Sequence, residues 1–125
     1  DYVGVLDCGT PINPNLVRIQ SEGGIAQGIG MALWEDVRFD ENGKLLNDNF
    51  MSYKSPGRLD IRNVRVYLEP TYEPTGPFGA KSVGELVINT PSPALANAIE
   101  NTTGVRLREL PMTSEKLMMA MSCMR

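Results

Sequence analysis

The stretch Gly-Pro-Phe-Gly-Ala-Lys-Ser-Val-Gly-Glu, residues 76–85, constrains this chain most. Gly76, Gly79 and Gly84 allow turns and close backbone approaches that other residues resist. The stretch therefore reads as a loop, and it ends on one carboxylate, Glu85, with a helix-start signal after it. Such a loop lays bare amides against a ligand and presents a single acid to it. Read alone, Glu85 is better taken as an ordinary acid near a helix on a surface loop, and Lys81 as a solvated loop lysine.

The 125 residues suffice for one domain, taken as residues 1–125, with its own core. Lys and Arg number 12 against 15 Asp and Glu, and no basic block appears, so nucleic acid is not an expected partner. No apolar run approaches the roughly 20 residues needed to span a bilayer, so no membrane partner is expected. No signal-peptide pattern appears either, and the expected location is cytoplasmic. There is no histidine. Its absence removes the commonest general base, the Ser-His-Asp triad and His-based zinc sites together. Acid–base work falls to Asp, Glu, Lys, Tyr or Cys. Cys8 and Cys123 lie near opposite ends and read as free thiols. Two thiolates cannot by themselves hold an iron–sulfur cluster, which generally takes four.

Asp1–Asp7 reads as a strand already under way: either the segment is cut from a longer protein, the favoured expectation, or an edge strand begins at once. Cys8-Gly9-Thr10-Pro11 ends that strand. Asn13-Pro14 is a helix entry, with Asn13 as cap and Pro14 at the first helical position. A helical pattern follows to Trp34 or Glu35, with a break expected near Gly23-Gly24. Ile25, Ile29 and Leu33 form its apolar stripe. Gln20, Gly24, Gln27 and Met31 recur on another side, flanked by Gly23 and Gly30. Glycines there serve either tight packing through Gly24 and Gly28, or a helix face lying against a cofactor.

Asn42-Gly43 predicts a hairpin between Val37–Asp40 and Lys44–Leu46. Arg62–Glu69 alternates as a strand, with Val64, Val66 and Leu68 on one face. Thr90 or Ser92 is expected to cap a helix that ends at Gly104. Val105–Leu110 alternates as a closing strand, and a last helix runs from Glu115 to about Cys123. Met118, Met119 and Met121 read as adaptable core packing. Trp34 and Phe78 read as core or domain-contact residues, with Phe78 also a candidate for the substrate channel. Asp7 and Cys8 are assigned to strand-end packing. The expected class is mixed α/β: a mixed sheet with a hairpin and about three packed helices.

Two segments then combine. Ile19-Gln20-Ser21-Glu22-Gly23-Gly24-Ile25-Ala26-Gln27-Gly28-Ile29-Gly30 precedes Tyr53-Lys54-Ser55-Pro56, Asp60 and Gly79-Ala80-Lys81-Ser82-Val83-Gly84-Glu85. Asp7-Cys8-Gly9, Ile12-Asn13-Pro14 and Pro111-Met112-Thr113-Ser114-Glu115-Lys116 complete the pattern. The chain resembles the C-terminal part of the molybdopterin-binding subunit of the xanthine dehydrogenase, or molybdenum hydroxylase, family. The resemblance implies an oxidoreductase that oxidises a purine, another N-heterocycle or an aldehyde at carbon, with water as oxygen source. Purine or xanthine-like substrates are the expectation among these, resting on the family's commonest members and on no residue of this chain.

It further implies that Glu85 is the general base taking a proton from hydroxide on the molybdenum. Gln20 matches a glutamine that hydrogen-bonds the pterin, and Lys81, Ser82, Val83 and Gly84 match loop backbone beside it. Gly23, Gly24, Gln27 and Ala80 join that cofactor-binding set, and no residue of this chain is a metal ligand. A carboxyl in a water-poor cleft is a better base than one in bulk water, because desolvation disfavours its charged form. The implied cofactors are molybdenum-molybdopterin, with 2Fe-2S clusters and FAD on other domains or subunits. The implied partners are the remainder of the molybdopterin subunit, the iron–sulfur and FAD units, and a small-molecule substrate. Since most of the family's site lies on other loops, the chain alone is expected to be inactive. A second reading is a cofactor-binding or structural module without chemistry. An acid-dependent hydrolase lacks a second carboxylate at recognisable spacing.

Overall fold

A computed structural model describes residues 1–123. Its order is strand β1 (Tyr2–Leu6), helix α1 (Pro14–Leu33), strand β2 (Val64–Leu68), a single 3-10 turn (Pro77–Gly79), then helices α2 (Leu86–Asn89), α3 (Pro91–Thr103) and α4 (Ser114–Ser122). The mixed α/β class is as expected. β1 and β2 pair in parallel, in register from Tyr2 opposite Val64 to Leu6 opposite Leu68. Helix α1 lies against β2, α2 and α3 and organises the rest. The main core gathers Leu6, Cys8, Ile25, Ile29 and Val87, with Val64, Val66 and Leu68 partly buried against it. A second cluster joins Ala32, Ala96 and Met112.

The local signals for α1 act as read. The Asn13 side chain accepts from the Leu16 amide at 3.1 Å, satisfying a donor that the first turn leaves free. Pro14 then sets φ for the helix. The expected break at Gly23-Gly24 does not occur, because packing offsets the helical cost of glycine. A Cβ on Gly24 would strike Val87, and one on Gly28 would lie 2.7 Å from the Ile88 carbonyl oxygen and 2.7 Å from Pro91 Cγ. These two glycines let α2 and the start of α3 sit directly on α1. At the far end of α3, Gly104 takes φ 75° and closes the helix with its amide on Glu100 O at 2.8 Å.

Other expectations need correction. The Asn42-Gly43 turn forms, with Gly43 at φ 78°. Its flanks meet only at a Phe39–Leu45 bridge, too little for strands. Val105–Leu110 forms no strand. Val105 is buried and Leu107 half-buried, but the alternation finds no strand to pair with among the described residues. Thr90 precedes α3 without capping it, since its hydroxyl accepts instead from Tyr2 Oη at 3.1 Å. Met118, Met119 and Met121 are 64, 57 and 44% exposed, so they are not core packing. Phe78 is 83% exposed in the left-handed region and is not a core residue, whereas Trp34 does pack against the main cluster. Cys8 is buried and Cys123 exposed, both as free thiols.

Candidate functional site

Helix α1 and the segment entering α2 face each other across a cleft of about 350 Å³. Gln20, Gly23, Gly24 and Gln27 line it from α1, and Gly84 and Glu85 line it from the loop. The cleft thus joins the glycine-rich helix and the acid that ends the glycine loop. Ile19 and Ile88 form its apolar flanks. One direct bond spans it: Gln20 Nε2 donates to the Gly84 carbonyl at 3.0 Å, between residues 64 apart in sequence. That bond fixes the peptide immediately before Glu85.

The two readings of the α1 glycines divide between different residues. Gly24 and Gly28 are packing glycines. A Cβ at Gly23 or Gly84 would meet nothing within 4 Å, so both present bare backbone to open space on the cleft wall. Glu85 is exposed. Its side chain does not cap α2, and it joins no ion pair among the described residues. The acid is therefore free to act on a ligand in the cleft.

The rest of the loop sits elsewhere. Gly9 and Ala80 form an antiparallel bridge, and the Lys81 amide donates to Cys8 O at 2.8 Å. Ala80, Lys81 and Val83 border a second hollow, of about 230 Å³, shared with Leu16 and Val17. Ser82 is exposed. The predicted set thus separates into a cleft group and a group turned toward the end of β1.

That second group holds a contact missed in the sequence. Asp7 Oδ2 accepts from Lys81 Nζ at 2.6 Å, while Oδ1 accepts from the Gly9 amide at 2.9 Å and from Thr71 Oγ1 at 2.7 Å. Charge-assisted bonds favour the ionised form. Lys81 foremost, then the Gly9 amide and Thr71, lower the Asp7 carboxyl from an ordinary 3.8 to about 2. Asp7 in turn raises Lys81 above the usual lysine range. A depressed carboxyl contributes fully above its unfolded value and is lost as pH falls through its folded value. The Gly9 amide chemical shift is therefore expected to stay flat above about pH 4 and to move with a midpoint of about 2. A midpoint at the ordinary carboxyl value would remove the ion pair. No local pattern announces this contact, since its partners lie 74 residues apart.

Among the described residues no group of three or more His, Cys, Asp or Glu side chains is placed to hold a metal ion. No helix among them is long and apolar enough to cross a membrane.

Known proteins share both the sequence and the fold. A model for the molybdopterin cofactor-binding domain matches residues 1–62. The chain is 40% identical over 121 residues to a probable hypoxanthine oxidase, XdhD, of Escherichia coli, covering 96% of this chain and 13% of that protein. It is 41% identical over 117 residues to an aldehyde oxidoreductase of Megalodesulfovibrio gigas, covering 92% of this chain and 12% of that one. The crystal structure of quinoline 2-oxidoreductase from Pseudomonas putida superposes with a TM-score of 0.88 at 34% identity, covering 96% of this chain and 16% of its own. The chain thus spans a small part of each relative. With sequence and fold agreeing over nearly all of its length, it belongs to the molybdopterin-binding xanthine dehydrogenase and aldehyde oxidoreductase family.

Proposed function

We propose that this chain is a segment of the large subunit of a molybdenum-dependent hydroxylase, and that Glu85 is its general base. The enzyme oxidises a carbon of an N-heterocycle or aldehyde, with water as the source of oxygen. The carrying observation is the unengaged Glu85 carboxylate in a cleft whose other wall is the glycine-rich face of α1. Relatives named for hypoxanthine, quinoline and aldehydes support the substrate class.

The cleft fits an anionic pterin cofactor. Bare backbone at Gly23 and Gly84 leaves room for close approach, and the side-chain amides of Gln20 and Gln27 can donate to it. When bound, molybdenum-molybdopterin supplies the two-electron acceptor and the acidified oxygen nucleophile. This chain supplies proton transfer and placement. Glu85 takes the proton onto its carboxylate, and Gln20 holds the preceding peptide so that the acid stays at the cleft. Ala80, Lys81, Ser82 and Val83 act through the loop backbone. The remaining cofactor contacts, the 2Fe-2S and FAD units that accept the electrons, and the substrate-selecting residues belong to the rest of the enzyme.

Isotope labelling tests the reading. The intact enzyme is incubated in ¹⁸O-water with quinoline, hypoxanthine or benzaldehyde as probe. The expected product carries oxygen from water. Oxygen drawn from O₂, or no turnover of any probe by enzyme replete in molybdopterin, would overturn it.

A further inference from the structure

We propose that Asp7 is a positioning residue for Glu85, tying the loop that carries the base to the end of β1. The proposal rests on the reading of Glu85 given above.

The Asp7 carboxylate gathers three chain segments. Oδ1 accepts from Gly9, just past the strand, and from Thr71, beyond β2. Oδ2 accepts from Lys81, in the loop leading to Glu85. The backbone doubles the link: Lys81 N donates to Cys8 O at 2.8 Å, and Thr10 N to Gly79 O at 2.8 Å. At its other end the same loop is held by the Gln20 amide on Gly84 O. The loop is therefore pinned twice, once to the strand end and once to α1, with Glu85 directly after the second pin. The Asp7 and Lys81 side chains are 42 and 36% exposed, so their ion pair adds little to global stability. Its consequence is orientation. Misplacing a catalytic group by 1 Å costs on the order of a hundredfold in rate, so a modest slackening of the loop is enough to register.

Asp7→Asn and Lys81→Met in the intact enzyme test this. Asparagine keeps the shape and one acceptor but loses the charge, and methionine keeps the stem but loses the donor. Amide hydrogen exchange between residues 79 and 85 is expected to rise on the order of tenfold in both variants. The value of kcat is expected to fall on the order of tenfold, with KM and molybdenum content held. The double variant is expected to be no worse than either single one, because both remove one contact. Unchanged exchange in both variants overturns the proposal, and so does a defect confined to KM or to molybdenum content. Glu85→Gln is measured beside them. Full turnover there removes the base reading, while the exchange data still judge the anchor by itself.

Discussion

Replacing Glu85 by glutamine in the intact enzyme is expected to lower kcat by about 10²–10⁴-fold, with molybdenum and pterin content unchanged. Glutamine matches glutamate in size and keeps one acceptor oxygen, but it cannot take up a proton at neutral pH. The fold has no stake in the exchange: the side chain neither caps α2 nor pairs with a cation among the described residues. Loss of rate without loss of cofactor thus separates a chemical role from a structural one. Parallel measurements of kcat, KM and molybdenum per protein decide it. Wild-type kcat in the variant would end the assignment.

The largest expected stability effect belongs to Gly9→Ala. Gly9 is buried at φ 64°, a region where a side chain costs roughly 1–2 kcal/mol. The new Cβ would also strike the Gly79 carbonyl oxygen and lie 2.9 Å from the Lys81 amide nitrogen. Both obstacles are backbone, so no side chain can rotate away. Overpacking adds about 1–3 kcal/mol, for a total of roughly 2–5 kcal/mol. The strain falls on the bridge between Gly9 and Ala80. The amides of Thr10 and Lys81 are therefore expected to lose hydrogen-exchange protection first, ahead of those in the body of α1. Equal protection in variant and wild type would show that the loop does not depend on close approach at Gly9.

Much of the scaffold was legible because its signals are local. Asn13-Pro14 starts α1, and Gly104 ends α3. Each works through atoms within a few residues. The errors arose where the outcome depends on distant neighbours. Val105–Leu110 has a strand's alternation, but a strand needs a partner. Gly23-Gly24 has a helix breaker's composition, but Val87 packs onto α1 where a Gly24 side chain would stand. The methionines of α4 have the composition of core packing, but among the described residues they stay 44–64% exposed.

The site was legible in a different way. No periodicity links Gln20 to Gly84 across 64 residues. Resemblance to a family marked both segments, and the fold then brought them to one cleft. The resemblance includes Asp7-Cys8-Gly9 but gave Asp7 no distant partner: Thr71 and Lys81 become its neighbours only through the β1–β2 pairing and the loop return.

The parallel ribbon has one more consequence. With just two strands among the described residues, each outer rim keeps amide and carbonyl groups that no third strand engages. Val5 at 70% and Tyr67 at 53% exposure also leave the side away from α1 uncovered. Parallel sheets elsewhere are sheathed on both sides. An extended peptide laid along either rim would find a ready-made template, so in isolation the ribbon is the place where copies of this chain would adhere to one another.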